Sequence, residues 1–379
     1  MMSQDFFNQL STHFLAKLPF VAYRKPNKTE VKAMLQKNNE LFFTRDFKDS
    51  GFVFSPFNYK ENTVLFPLNQ CESMSCEDEI ENFEKQQIPD GVHPERSRKA
   101  EITAKQLHIQ LVQKAINEIE NNSFKKIVLS RVEAQDFDNN QAIGLFKKLL
   151  TNYKTAMVYC WYHPKVGLWL GATPETLLKV EGQRFQTMSL AGTQAFTEDV
   201  EAKWQSKEVE EQQLVTDFIV SSLQTSVSSL TVGKPETVRA GNVIHLRSKI
   251  SGTFNFQTFN FQNLLKKLHP TPAVCGLPKE AAKKFILKNE DYNREYYTGF
   301  LGEINLKQSK TRNTNHRNVE NNAYAFIKTV SHLFVNLRCL QIKDNKALIY
   351  VGGGITKDSV PEKEWEETVA KSKTVKNFL

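Results

Sequence analysis

No apolar run in the 379 residues approaches the ~18 needed to cross a bilayer. The opening stretch, MMSQDFFNQLSTHFLAKLPF, mixes polar and apolar residues and lacks the uninterrupted apolar core of a signal peptide. Cysteine is scarce: five, an odd number, at 71, 76, 160, 275 and 339, without paired zinc-ligand spacing. This usage predicts free thiols in a reducing cytoplasm, not a disulfide framework. Cys71 and Cys76 alone are too little for a metal site. Internal repeats and long low-complexity linkers are also missing.

The net charge of +8 raises two kinds of partner, a nucleic acid or an anionic small molecule. Lysine and arginine are interspersed with acids, and no basic stripe carries the aromatics on which bases stack. The one basic cluster, LKQSKTRNTNHRN at 306–318, is Asn-rich and aromatic-free and reads as a surface loop. A basic nucleic-acid-binding protein is therefore the non-enzyme alternative.

What is present is 40% hydrophobic and 24% charged residues at a mean hydropathy of −0.47, an ordinary globular composition. Strand-like and helix-like patterns alternate along the chain, which predicts the α/β class with many strands. Strands are predicted at 124–134, 156–162, 167–171, 176–180, 242–250 and 346–351. Helices are predicted at 99–121, 198–224, 277–291 and 359–375, the first with Leu107, Leu111, Ala115 and Ile119 on its buried stripe. FKKIVLSRVEA at 124–134 is apolar on both faces and reads as a central strand. Residues 1–95, Phe-rich and then acidic, form an N-terminal α/β portion, and 96–379 form the larger region.

Carboxylates stand out in two of these helices. At about 100° per residue, Glu208 and Glu211 fall on the apolar stripe of Val215, Phe218 and Ile219, whereas Glu210 points elsewhere. Two like charges one turn apart repel, and a cation would relieve them. The plainer alternative is that the stripe ends in solvent before them. In SVPEKEWEETVAKSK, at 359–373, Ser359 and Glu362 read as a capping box. Glu364, Glu367 and Lys371 share one face and Glu366 lies opposite; Glu367 and Lys371 also suit an ordinary ion pair. Together, the two E-x-x-E pairs offer four hard oxygen ligands of the kind Mg²⁺ takes.

Ten strings then set the chain in a family: KIVLSR (126–131), GATPE (171–175), LAGT (190–193), SKEVEE (206–211), HL (245–246), LHPTPAVCGLP (268–278), YNREYYTGFLG (292–302), NLRC (336–339), GGGI (352–355) and EWEETVAKSK (364–373). In this order they resemble the chorismate-utilising enzymes, and among them the isochorismate synthases. The resemblance implies one large chorismate-binding domain, a many-stranded β-sandwich flanked by helices, with Mg²⁺ and chorismate in a cleft. It implies a cytoplasmic monomer acting on chorismate, with no nucleic-acid or membrane partner. The activity implied is Mg²⁺-dependent, reversible conversion of chorismate to isochorismate, feeding menaquinone or siderophore biosynthesis. Salicylate synthase, which adds a lyase step, is the alternative.

The resemblance also assigns roles. Glu208, Glu211, Glu364 and Glu367 match the metal ligands. Lys126 matches the base, and burial would favour its neutral form. Glu175 matches the general acid, which burial should keep protonated near neutrality. Arg338 and Tyr297 match residues that grip the pyruvyl carboxylate. His245 matches a histidine near the departing C4 oxygen, and Lys371 a lysine of the metal helix. Ala191, Gly192, Thr193, Gly299 and Gly352 lie where backbone approaches substrate. Anthranilate synthases typically carry Gln where Lys126 stands, and aminodeoxychorismate synthases carry Lys in place of Ala191; this pair places the chain in the water-using branch. LHPTPAVCG leans away from the salicylate synthases, which share both residues. Departures from the pattern are Gln212 for His, Glu295 for Gly, GGGI for GAGI, and a polar insertion at 306–322.

Overall fold

The computed structural model describes residues 1–58, 60–77, 95–196, 202–241, 243–255, 259–310 and 326–379. The chain opens with α1 (Ser3–Leu15) and six strands, β1 (Phe20–Arg24), β2 (Glu30–Gln36), β3 (Phe42–Thr44), β4 (Gly51–Ser55), β5 (Thr63–Pro67) and β6 (Cys71–Glu77). Then come α2 (Glu95–Glu120), β7 (Lys126–Asp136), α3 (Ala142–Asn152), β8 (Met157–His163), β9 (Gly167–Thr173), β10 (Thr176–Glu181) and β11 (Arg184–Ala195). After α4 (Ser206–Leu223) follow β12 (Val227–Val232), β13 (Glu236–Ala240), β14 (Val243–Phe254), α5 (Phe261–Leu268), β15 (Gly276–Leu277) and α6 (Lys279–Asn289). The chain closes with β16 (Phe300–Lys310), β17 (Phe326–Val335), β18 (Cys339–Lys343), β19 (Lys346–Ile355) and α7 (Pro361–Lys376).

Among the described residues the strands form two antiparallel sheets. One has nine strands in the order β15-β7-β19-β18-β9-β8-β1-β2-β6. The other has ten, β12-β14-β11-β10-β17-β16-β4-β5-β3, with β13 also paired to β14. Residues 1–77 feed both sheets: β1, β2 and β6 join the first, and β3, β4 and β5 the second.

Alternation of side chains along the strands explains the layering. In β1, Val21 and Tyr23 face the second sheet, while Phe20 and Ala22 pack outward with Phe6, Phe7 and Leu10 of α1. The space between the sheets is filled largely by aromatics, including Phe52, Phe54, Phe66, Tyr159, Trp161 and Trp169. Phe54 stacks on Tyr296 with centroids 4.2 Å apart. Outside the first sheet lie α1 and α3 on one half and α2 and α6 on the other; α4 and α5 cover the second sheet. This is the expected sandwich of sheets flanked by helices.

Several local expectations change. β7 is second from the sheet edge, pairing with β19 along its length but with β15 only at Lys126 and Ile127. Its double-sided burial comes from helical cover: Phe124, Ile127 and Leu129 pack with α2 and α6. On α2 the buried stripe runs through His108, Val112, Ala115, Ile116 and Ile119, and Leu107 is 54% exposed. The helix expected from 198 begins at Ser206; 197–201 lie outside the described residues, and 202–205 are not helical. LKQSK at 306–310 completes β16 and is not loop, whereas 311–325 lie outside the described residues. No described helix is long and apolar enough to cross a membrane, and all five cysteines are free thiols.

Candidate active site

One cleft gathers residues from both sheets and from α4 and α7. Its lining contains Glu175, Ala191, Gly192, Thr193, Glu211, His245, Tyr297, Arg338, Gly352 and Lys371, residues scattered across the sequence. Strands and the turns between them deliver most of these, and the helices α4 and α7 deliver Glu211 and Lys371.

Glu175 follows Pro174 in the link from β9 to β10, where its carbonyl accepts from Val335 N at 3.0 Å. Its side chain is 3% exposed. Burial pushes its carboxyl up to about 8, against the opposing pull of Lys126 and Arg338. The acid is thus largely protonated at neutral pH.

Gly192 sits at a register shift between β11 and β14, with φ of 73°. A Cβ there would also lie 3.0 Å from Glu208 Cβ, so glycine lets α4 close onto the bulge. The bulge turns Gly192 O toward His245, whose Nδ1–H donates to it at 2.9 Å. The other ring nitrogen, Nε2, accepts from Arg338 Nη2 at 3.0 Å. Burial, then Arg338 and Lys371, hold the imidazole well below its usual range, so it is neutral with one tautomer set by these partners. Arg338 adopts φ of 49°. Its turn is braced by Asn336, which accepts from Tyr159 at 2.6 Å and donates to Tyr296 O at 2.9 Å. Burial raises the Tyr297 hydroxyl, which stays a phenol able to donate to an anion.

Gly299 does not line the cleft. A Cβ there would lie 1.9 Å from Ser55 O, so glycine is required by packing of β16 against β4.

Carboxylates with lysines between them gather beside the cleft, and of this group Glu211 and Lys371 line it while Lys126, Glu208, Glu364 and Glu367 do not. Lys126 is fully buried, and its Nζ lies 2.9 Å from Glu211 Oε1, an ion-pair distance without the direction of a hydrogen bond. Burial opposes charge on Glu211, but Lys126, with Lys371 and Lys207 behind, holds its carboxyl below the usual range. Lys207 Nζ meets Glu364 Oε1 at 2.6 Å, and Lys371 Nζ meets Glu367 Oε1 at 2.5 Å. Lys207 was no candidate from sequence, although it directly precedes Glu208.

Glu364 is 2% exposed, and its Oε2 has no hydrogen-bond partner among the described residues. Burial and the neighbouring Glu367 raise its carboxyl above the usual range. Glu211, Glu364 and Glu367 all face the same piece of β19. A Cβ on Gly353 would lie 3.6 Å from both Glu364 Oε2 and Glu367 Oε1, and one on Gly354 only 2.3 Å from Glu211 Oε1. Hard oxygens, one of them orphaned, fit a divalent cation in chemistry. In this conformation no three acidic, histidine or cysteine side chains among the described residues form a cage. Lysines neutralise the carboxylates instead.

Capping is the reverse of the expectation. Glu208 is the N3 residue of a capping box, accepting from Gln205 N at 2.9 Å. Glu362 caps nothing: α7 starts at Pro361 after Val360, and Ser359 Oγ accepts from Thr356 N at 3.0 Å. Proline at the first helical position supplies the start that the serine was expected to supply. Glu366 is exposed, as expected.

Of the departures from the family pattern, Gln212 is buried and its Nε2 donates to Ser189, Ser248 and Thr216 at 2.9, 2.9 and 3.1 Å. It ties α4 to β11 and β14 and turns away from the carboxylates. Glu295 takes φ of 46° and accepts from Gln341 at 3.0 Å.

A family model described as chorismate binding enzyme matches residues 57–310, and a second of the same description matches 326–377. Isochorismate synthase MenF of Escherichia coli (strain K12) is 28% identical over 299 residues, covering 76% of this chain and 64% of that protein. Isochorismate synthase EntC of the same organism is 28% identical over 268 residues, 67% of this chain and 62% of that protein. The chain thus spans less than two thirds of the length of either. The solved structure of the menaquinone-specific isochorismate synthase MenF from Escherichia coli superposes with a TM-score of 0.71 at 21% identity, over 95% of this chain and 88% of that one. That likeness shows the fold.

Proposed function

The chain belongs to the chorismate-binding enzymes, and from that premise we propose that it interconverts chorismate and isochorismate. Water bonds to ring C2, the ring double bonds shift, and the C4 hydroxyl leaves. Lys126, once it has given to solvent the proton that pairs it with Glu211, takes one from the water, and Glu175 gives one to the departing oxygen, so atoms and charge balance. One observation carries this reading: a buried carboxyl in the cleft wall, pushed to about 8, beside Arg338. That group is an acid at neutral pH, as the departing hydroxyl requires.

Arg338 and Tyr297 hold the enolpyruvyl carboxylate, the guanidinium by its planar fork. His245, fixed between Gly192 O and Arg338, orients that fork beside the C4 side of the ring. Lys371 reaches Gly352 O at 3.1 Å and lies in the cleft lining, where it complements the substrate's negative charge. We place Mg²⁺ with Glu211, Glu364 and Glu367, supported by the orphaned oxygen of Glu364, and with Glu208 once it releases its cap on Gln205 N. Bound there, it would neutralise the ring carboxylate and fix the ring.

The test is incubation with chorismate and Mg²⁺ in ¹⁸O-labelled water, followed by chromatography and mass spectrometry. The expected product is isochorismate labelled at the C2 hydroxyl, reaching the same mixture from either side. Stoichiometric pyruvate with salicylate would move the assignment to salicylate synthase. Turnover only with ammonia would move it to the aminating branch, and no turnover with salt-dependent nucleic-acid binding would restore the non-enzyme alternative.

A further inference from the structure

A second cleft, of about 710 Å³, lies at the C-terminal end of α5 on the outer side of the second sheet. Its apolar lining is Phe47, Leu265 and Phe300, the two rings forming one wall with centroids 6.0 Å apart. Three of its charged lining residues are basic, Arg45, Lys60 and Lys266, against one acidic, Glu61.

His269 is the unusual member. It is 3% exposed and meets the Phe300 ring edge-on at 5.0 Å. Neither of its ring nitrogens has a hydrogen-bond partner among the described residues. Neighbouring hydroxyls in the lining are engaged: Ser55 with Thr63 at 2.9 Å, and Thr44 with Asp49 at 2.8 Å. A buried imidazole without partners is destabilising, so its nitrogens call for a ligand or an ordered water. Burial, then Lys279 and Lys283, push the ring down to about 3. It is therefore neutral, with one N–H to donate, in a positive field. A donor in a positive field beside an aromatic wall suits an anion with a flat apolar body.

We propose that this cleft binds a small aromatic carboxylate, its ring against Phe47 and Phe300 and its carboxylate accepting from the His269 ring N–H. One loop contributes to the lining of both clefts. His269 lines this one, while Ala273 and Val274, a few residues on, line the active site. Between them Thr271 O accepts from Val274 N and Cys275 N at 3.1 and 3.0 Å, a tight turn.

Calorimetric titration of the full chain with benzoate, in the absence of chorismate, tests the site independently of any turnover. Benzoate binds, and benzamide, its uncharged counterpart, binds at least tenfold more weakly. His269→Phe lowers benzoate affinity at least tenfold while the unfolding temperature stays or rises, because no hydrogen bond is lost. Lys266→Glu, at an exposed position, weakens benzoate several-fold and decides the matter should His269→Phe fail to fold. Arg338→Ala retains benzoate binding, which separates this site from the active cleft. Binding that survives both His269→Phe and Lys266→Glu, or that vanishes in Arg338→Ala, overturns the proposal. So does absence of benzoate binding, which would leave the cleft to water.

Discussion

Two regions of the molecule bury carboxylates beside cations, and they do so in opposite ways. In the first, Glu290 and Arg294 pair at 2.5 Å with both side chains at most 2% exposed. Every polar atom there has work: Glu290 Oε1 also accepts from Ser130 N and Oγ at 2.9 and 2.8 Å, and Oε2 accepts from Arg294 Nε at 2.7 Å. Arg294 goes on to donate to Val128 O at 2.7 Å and Val274 O at 3.0 Å. This saturated pair braces β7 against the loops that carry Val274 and Tyr297. In the second region, the cluster of Glu211, Glu364 and Glu367, each carboxylate meets a lysine at one point and Glu364 keeps an orphaned oxygen. A lysine is a single charge on a flexible stem, readily displaced; arginine's fork is not. Saturation marks the brace, and its absence marks the site.

The largest effect expected on the unsaturated side is on turnover. Chelation of divalent cations should abolish it, and Glu211→Ala or Glu367→Ala should do the same at moderate Mg²⁺; full activity in excess chelator would end the metal assignment. Lys126→Ala and Glu175→Gln should each lose roughly 10²–10⁴-fold in kcat, as general acid–base groups do. Binding of chorismate, read by calorimetry, should largely survive in both.

On the saturated side the effect should fall on stability. Arg294→Ala leaves Glu290 buried and uncompensated, at a cost of about 3–5 kcal/mol. Denaturant unfolding should show that loss for Arg294→Ala and far less for Glu364→Gln, which removes a charge that burial already opposes. Equal losses would erase the distinction between the two regions.

Glu175 supplies a pH test. Its carboxyl is raised from 4.5 to about 8 in the folded chain, so the native state holds a proton that the unfolded state releases. Its stabilising contribution is complete below about 4.5 and is lost as pH rises toward about 8. The stability advantage of Glu175→Gln over the parent should therefore widen across that window and then level off. Wild-type turnover should fall above about 8 as the acid ionises.

Smaller effects sharpen the comparison. Gly353→Ala places its methyl at ordinary contact, 3.6 Å from Glu364 and Glu367, and should leave turnover within a few-fold. Gly354→Ala drives a methyl to 2.3 Å from Glu211 and should lose most of it. Glu362→Ala, exposed and without a capping role, should shift stability by less than about 0.5 kcal/mol.

Much of this was legible in the chain order of residues. Periodicity placed the strands around 126–136, 157–163 and 346–355 and the helices containing Glu211 and Glu367, because side-chain repeat is a local property. Wheel geometry separated Glu364 and Glu367 from the exposed Glu366. The motif strings singled out most of the residues that line the first cleft. Other features arise only when distant segments meet. The edge-proximal place of β7 depends on β19 and the short β15, and Gly299 is dictated by Ser55 O of a strand far earlier in the chain. Glu208, not Glu362, makes the capping box because helix starts depend on the incoming backbone, which for α7 leads directly into Pro361. Lys207 across from Glu364, the neutral His245 between Gly192 O and Arg338, and the raised acid at Glu175 are equally products of assembly. Local sequence sets which face a side chain takes; burial and partners, which set its charge and chemistry, come from segments tens to hundreds of residues away.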